Sequence, residues 1–306
     1  MTQQLCLASV LALTAVSLPN LVSAQDPAEQ LKAANRLELN EGRRSEAAAI
    51  YREVLANSPT NFEANLGLGR ILVVDGKPTE GRKHLEAALA AASDGQRNST
   101  LSIIAIAHVF EGNGAAAAKL YEQVFDSQLK ANAISQAANS ANALARTLLE
   151  TGNLDGAERW YRTGYDTAAK IQNVPLEEAD IWEMRWRHAQ GRIAARRKQF
   201  DAARGHLAAV ESIVKKGTLP DGQEVFAPQL AGYIEFYQGN YDAAIAALGK
   251  ADLQDPFVLG LLAQSYEQKK DLTKAKELYA QVLARPGFSL QMALARPLAT
   301  RRVAGQ

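Results

Sequence analysis

The chain has 306 residues, with 34 Lys+Arg against 33 Asp+Glu and one cysteine. A formal net charge of +1 gives no support to nucleic-acid binding, which calls for a strongly basic domain. A single Cys excludes disulfides and cysteine-based metal sites within the chain, while abundant alanine and only 10 prolines favour helix throughout.

At the N-terminus, Met1 to Ala24 has no charged side chain, an apolar run from Leu5 to Leu18, and Val22-Ser23-Ala24 ahead of Gln25. The run is too short to cross a bilayer of ~30 Å. Ala24, with Val22 two residues before it, suits a signal-peptidase site. A cleaved secretory signal over 1–24 is therefore expected. An uncleaved membrane anchor is the competing reading, because Met1–Gln4 lacks Lys or Arg. Cys6 lies inside this segment without a lipobox, so the mature chain would carry no thiol, which fits an oxidising compartment.

Beyond residue 25 one unit recurs. A turn residue is followed five positions on by a small residue and four further on by a large apolar one. The pattern runs Gly42/Ala47/Tyr51, Gly76/Gly81/Leu85, Gly112/Ala117/Tyr121 and Gly152/Ala157/Tyr161, then Lys198/Ala203/Leu207, Gly239/Ala244/Leu248 and Lys270/Ala275/Tyr279. The small residues are spaced 34, 36, 40, 46, 41 and 31 apart. Seven residues before each turn stands another small side chain (Gly69, Ala105, Ala145, Gly191, Gly232, Ala263), with Asn35 the exception. Antiparallel helices joined by a tight turn approach closely only where one presents a small side chain. Gly and Asn accept the left-handed conformation that ends a helix, and Pro59, Pro256 and Pro286 close second helices because Pro cannot continue one.

These residues resemble the tetratricopeptide repeat family, a helix-turn-helix unit of 34 residues with an Ala-x3-aromatic signature and a late Pro. The resemblance covers Ala28 to Pro286, closest in the first, sixth and seventh units. The third and fourth lack the late Pro, and the fifth lacks both turn Gly and Pro. It implies an all-α, right-handed superhelical solenoid of antiparallel helix hairpins whose concave groove binds peptides or protein segments. Two stretches break the period. Leu154 to Asn173 reads as a long second helix, and Leu176 to Arg197 as a long first helix with Glu177-Glu178 at its acidic start. Lys215 to Pro228 reads as a loop and the expected hinge. Ser289 to Arg302 is a candidate capping helix, restricted by Pro297. The expected organisation is a signal over 1–24, five units over 25–216, a loop over 217–228, two units over 229–286 and a capping segment over 287–306.

No motif points to catalysis. His84, His108, His188 and His206 show no metal-ligand spacing and read as partly exposed helix residues. Gly67 and Gly69 sit on an amphipathic helix rather than after a strand, so they are better explained by helix packing than by a phosphate loop. No catalytic residue, metal or cofactor is predicted. In the register that the resemblance implies, the residue after the small first-helix position faces the groove. It is Arg36, Arg70, Ile106, Arg146, Arg192, Tyr233 and Gln264 in turn. Arg185, His188 and Arg196 extend a basic stripe at helical spacing from Arg192, and Asn139 and Asn142 share the face of Arg146. Arg pairs with carboxylates through a planar fork, and Asn can bond a peptide backbone. The arginines have two open readings: pairing with acids of adjacent helices, or a site for an acidic ligand. Lys32 and Arg36 fit a carboxylate clamp poorly, since the family's Asn is missing. Trp182 and Trp186 read as packing residues, and Tyr233 and Tyr237 as a recognition surface.

The expected function is a non-catalytic exported scaffold, periplasmic or bound to the cell envelope, holding a protein or peptide segment, acidic in one reading. Membrane contact is expected only through an uncleaved N-terminal segment. Two rivals stand beside it: a glycan- or cell-wall-binding helical module with aromatic stacking platforms, and an architectural subunit of an envelope secretion or assembly complex.

Overall fold

The computed structural model describes residues 26–305; the expected signal segment and Cys6 lie outside them. The described residues form 15 α-helices, one short 3-10 turn and no strand. Fourteen of the helices pair as seven antiparallel hairpins, one for each unit marked by the sequence pattern. They are α1 (Pro27–Leu39) with α2 (Arg44–Asn57), α3 (Phe62–Val74) with α4 (Pro78–Ala91), α5 (Asp94–Phe110) with α6 (Gly114–Lys130), and α7 (Ile134–Glu150) with α8 (Leu154–Ala168). The remaining three are α9 (Leu176–Arg196) with α10 (Phe200–Lys215), α11 (Phe226–Gln238) with α12 (Tyr241–Leu248), and α13 (Pro256–Gln268) with α14 (Leu272–Ala284).

The turn and packing residues act as the sequence physics requires. Gly42, Gly76, Gly112, Gly152 and Gly239 have positive φ, and Lys198 and Lys270 adopt the same conformation at +60° and +65°. Ala47, Ala117, Ala157, Ala203 and Ala244 are completely buried. The close approach is clearest at Gly232, where a Cβ would stand 2.5 Å from Leu248 Cγ. Gly67 is likewise a packing residue, because a Cβ there would collide with the Tyr51 ring. Polar side chains tie neighbouring units together. Arg70 donates from Nε and Nη2 to the two oxygens of Glu38, both at 2.7 Å, and Tyr51 Oη lies 2.9 Å from the same carboxylate.

Two expectations about element ends are corrected. Helix α8 stops at Ala168 rather than Asn173. The chain turns there through backbone bonds from Lys170 to Thr167 and from Ile171 to Ala168, which tucks Ile171 against Ala138, Ala168 and Trp182. Phe226–Pro228, expected in a loop, is the first turn of α11, where a proline forfeits no helical bond because the first N–H groups have no partner. The remaining connection is held to α9: Lys216 Nζ and Thr218 Oγ1 donate to Asp180 at 2.8 and 2.5 Å. One buried core joins Met184, Val210, Leu230, Val258 and Ala299 across it.

The last helix, α15 (Leu290–Val303), does more than cover α14. Its segment runs over the concave side, against first helices of distant units. Phe288 meets Phe110 with ring centroids 5.3 Å apart. Leu290 and Ala293 enter the core formed by α5, α7 and α9. Buried Arg296 donates to the carbonyls of Val74 at 3.3 Å and Leu283 at 2.7 Å. Pro286 and Gly287 lie against Gly42 and Leu39 of the first hairpin. The solenoid is thus closed on itself.

Candidate functional site

Closure leaves a cleft of about 370 Å³ on the concave side, bounded by α7, α9, α11, the α12–α13 connection and α15. From α7 it receives Asn139, Asn142 and Arg146, which are spaced three and four apart and so share one helix face. From α9 come Met184, Arg185, His188 and Arg192 by the same spacing. Phe226 and Gln229 stand at the start of α11, Asp252 and Asp255 lie ahead of α13, and Gln291 reaches in from α15.

The cationic wall is underused. Arg146 Nε and Nη2, Arg192 Nε and His188 Nε2 are buried without a hydrogen-bond partner. Arg146 stands over the Phe257 ring at 5.0 Å, and its Nη2 is 4.0 Å from Asp255 Oδ2, beyond hydrogen-bond reach. His188 is 7% exposed and packs edge-on to Phe226. Burial, with Arg192 and Arg146 beside it, holds its imidazole well below the usual histidine range and therefore neutral. Arg192 is partly committed, since its Nη2 donates to Tyr161 Oη at 2.6 Å and its Nη1 to Glu150 at 3.5 Å. Opposite stands a small acidic pair. One oxygen of each aspartate is held by its own loop: Asp252 Oδ1 accepts from Gln254 N and Asp255 Oδ1 from Phe257 N, both at 2.8 Å. The cleft therefore presents cationic and anionic groups side by side, with an aromatic and thioether floor.

The groove residues singled out in the sequence divide into two groups. Asn139, Asn142, Arg146, Arg185 and Arg192 converge on the cleft, with Arg185 Nη1 donating to Asn139 Oδ1 at 3.2 Å. The others are engaged elsewhere. Arg36 pairs with Glu41, Lys32 with Glu29 and Arg70 with Glu38. Arg196 pairs with Glu150 and lies over Tyr237. Tyr233 is 1% exposed, with its hydroxyl 3.4 Å from both Glu150 oxygens, so it packs the wall instead of offering an open ring. Tyr237 packs against it with ring centroids 4.7 Å apart and the planes tilted by 47°. Trp182 is buried beside Ala138 and Ala168, and Trp186 stacks on Tyr165. His188 departs from the expectation of a partly exposed helix residue.

Sequence reasoning missed Asp252, Asp255, Phe226, Gln229 and Gln291. In the sequence Asp255 stands out only as the residue before Pro256, read there as the close of a second helix, whereas Pro256 begins α13. The approach of Asp255 to Arg146, 109 positions earlier in number, depends on the curvature of the whole stack.

Tetratricopeptide repeat models match residues 38–100, and 104–171 together with 230–289. Among solved structures, the apo form of RapI superposes with a TM-score of 0.57 at 10% identity, over 92% of this chain and 99% of that one. A tetratricopeptide repeat protein from Parabacteroides merdae gives 0.51 at 13% identity, over 89% and 98%. Nearly identical TPR-like repeats from Podosopora anserina give 0.52 at 20% identity, over 63% and 98%. At such identities the likeness is one of fold. No curated protein matches the chain.

Proposed function

We propose that this chain, which belongs to the tetratricopeptide repeat family, is a non-catalytic scaffold that captures a carboxylate-bearing segment of a protein or peptide, and that it works after export. Stacked helical repeats act as interaction modules through their extended concave surfaces. The observation that carries the reading is the set of buried, unpartnered nitrogens of Arg146, Arg192 and His188 in one cleft. Leaving such a group unmade costs about 1–3 kcal/mol, and a ligand carboxylate that supplies the missing acceptor recovers it. Export rests on the uncharged apolar segment ahead of Gln25.

One preparation tests both halves. Expressed with residues 1–24 in a Gram-negative host, the protein recovered from the periplasm should begin at Gln25. It should bind fluorescein-labelled hexaglutamate in an anisotropy titration. Arg146→Gln removes a charged hydrogen bond worth about 1.5–3 kcal/mol and should weaken binding roughly tenfold or more. Equal affinity of the variant would remove the cleft from the binding reading, and a cytoplasmic, uncleaved product would remove export.

A further inference from the structure

The cleft is not a uniformly basic groove. Arg146 and Asp255 face each other 4.0 Å apart and do not hydrogen-bond. Each is pinned from behind, Arg146 over the Phe257 ring and Asp255 by its cap on α13. Asp252 stands beside Asp255 in the same lining, and the unpartnered nitrogen of Arg192 continues the positive side, with an unpartnered nitrogen of neutral His188 next to it. Two opposite charges fixed side by side form a dipole, and its complement is a ligand whose own opposite charges lie equally close. An α-amino acid is such a ligand, since its carboxylate and ammonium are attached to one carbon.

We propose that the cleft binds a free α-amino acid, its carboxylate on Arg146 and the Arg192–His188 side, its ammonium on Asp255 and Asp252, and its side chain over Phe226 and Met184. The proposal rests on the carboxylate-capture reading above and names the ligand of that same site. A cleft of about 370 Å³ is at the small end for ligand sites, which suits one amino acid and excludes a long segment lying wholly inside. Asn139, Asn142, Gln229 and Gln291 supply further donors and acceptors around the head group.

The test is a calorimetric titration of the protein with each of the twenty amino acids, followed by the N-acetyl and carboxamide derivatives of the tightest binder. At least one amino acid should bind with Kd below 1 mM, and either derivative should bind at least tenfold more weakly. Asp255→Asn keeps a good helix-capping side chain and should erase the penalty for N-acetylation, as should Asp252→Asn in part. Binding of the N-acetyl form as tightly as the free amino acid would overturn the proposal and leave carboxylate capture standing. Silence from all twenty, with hexaglutamate still bound, would overturn it in the same way. If hexaglutamate also failed to bind, both readings would fall.

Discussion

At the scale of single residues, the arginines of the concave side carry two different jobs that composition cannot separate. Arg70 meets a buried glutamate through its Nε and Nη2, so its charge is spent inside the scaffold. Arg146 has no such partner. The difference lies in the facing residue, Glu38 within hydrogen-bond reach in one case and Asp255 4.0 Å away in the other, and it appears only when the helices are packed. Glu150 shows the same point: a residue without a sequence signature collects Arg192, Arg196 and Tyr233. His188 gives this scale its prediction. Its folded imidazole titrates well below the ordinary value of about 6.5, so below that pH the unfolded chain takes up the proton first. The stabilising contribution is complete above about pH 6.5 and is lost as the pH falls. Denaturant unfolding at pH 7 and pH 5.5 should show the native protein losing stability, with a slope of up to about 1.4 kcal/mol per pH unit from this group. His188→Gln should flatten that slope, leaving the smaller share of half-exposed His84 and His206. An unchanged slope would show that His188 is not buried neutral.

At the scale of elements, the hairpins were legible because each needs a small residue where its helices cross and a turn residue where they reverse. Both are local in sequence. The ends of α8 and α11 were less legible because they answer to contacts outside the hairpin, Ile171 against Trp182 in one case and the shared core around Leu230 in the other. The site was legible by half. The α7 and α9 faces follow from helical spacing, whereas the Asp252/Asp255 side comes from a connection whose residues look like ordinary turn and cap chemistry. The crossing rule is testable at Gly232. A methyl group there must displace Leu248, so Gly232→Ala should destabilise by about 1–3 kcal/mol in urea unfolding. Gly205→Ala on α10, with nothing within 4 Å of the added carbon, should instead stabilise by about 0.5–1 kcal/mol. Equal effects at the two sites would refute the packing account.

At the scale of the whole molecule, most repeat stacks are a chain of neighbour contacts in which either end can open alone. Here Arg296 bonds the backbone of Val74 across 222 positions, and Phe288 rests on Phe110. Burial, with the Arg44 charge nearby and Asp75 offsetting only part of the effect, pulls the Arg296 pKa down to about 10. This closing helix was visible in the sequence only as a cap. Nothing local marks Leu290 and Ala293 as partners of α5 and α7, because that contact exists only once the intervening hairpins have packed.

The closure also imposes an order in time. Contacts so far apart in the chain form slowly, since the loop between them must first be confined, and α15 is made after the helices it docks on. The repeats can assemble as they appear, but the cleft gains its Gln291 wall only when α15 has been made and docked. The cleft therefore takes its final shape only after α15 has docked. Stopped-flow refolding should show helix forming first and a slower docking phase after it. A chain ending at Pro286 should lack the slow phase and melt several degrees lower; a truncated chain with the same phases and melting point would show that closure plays no part in folding.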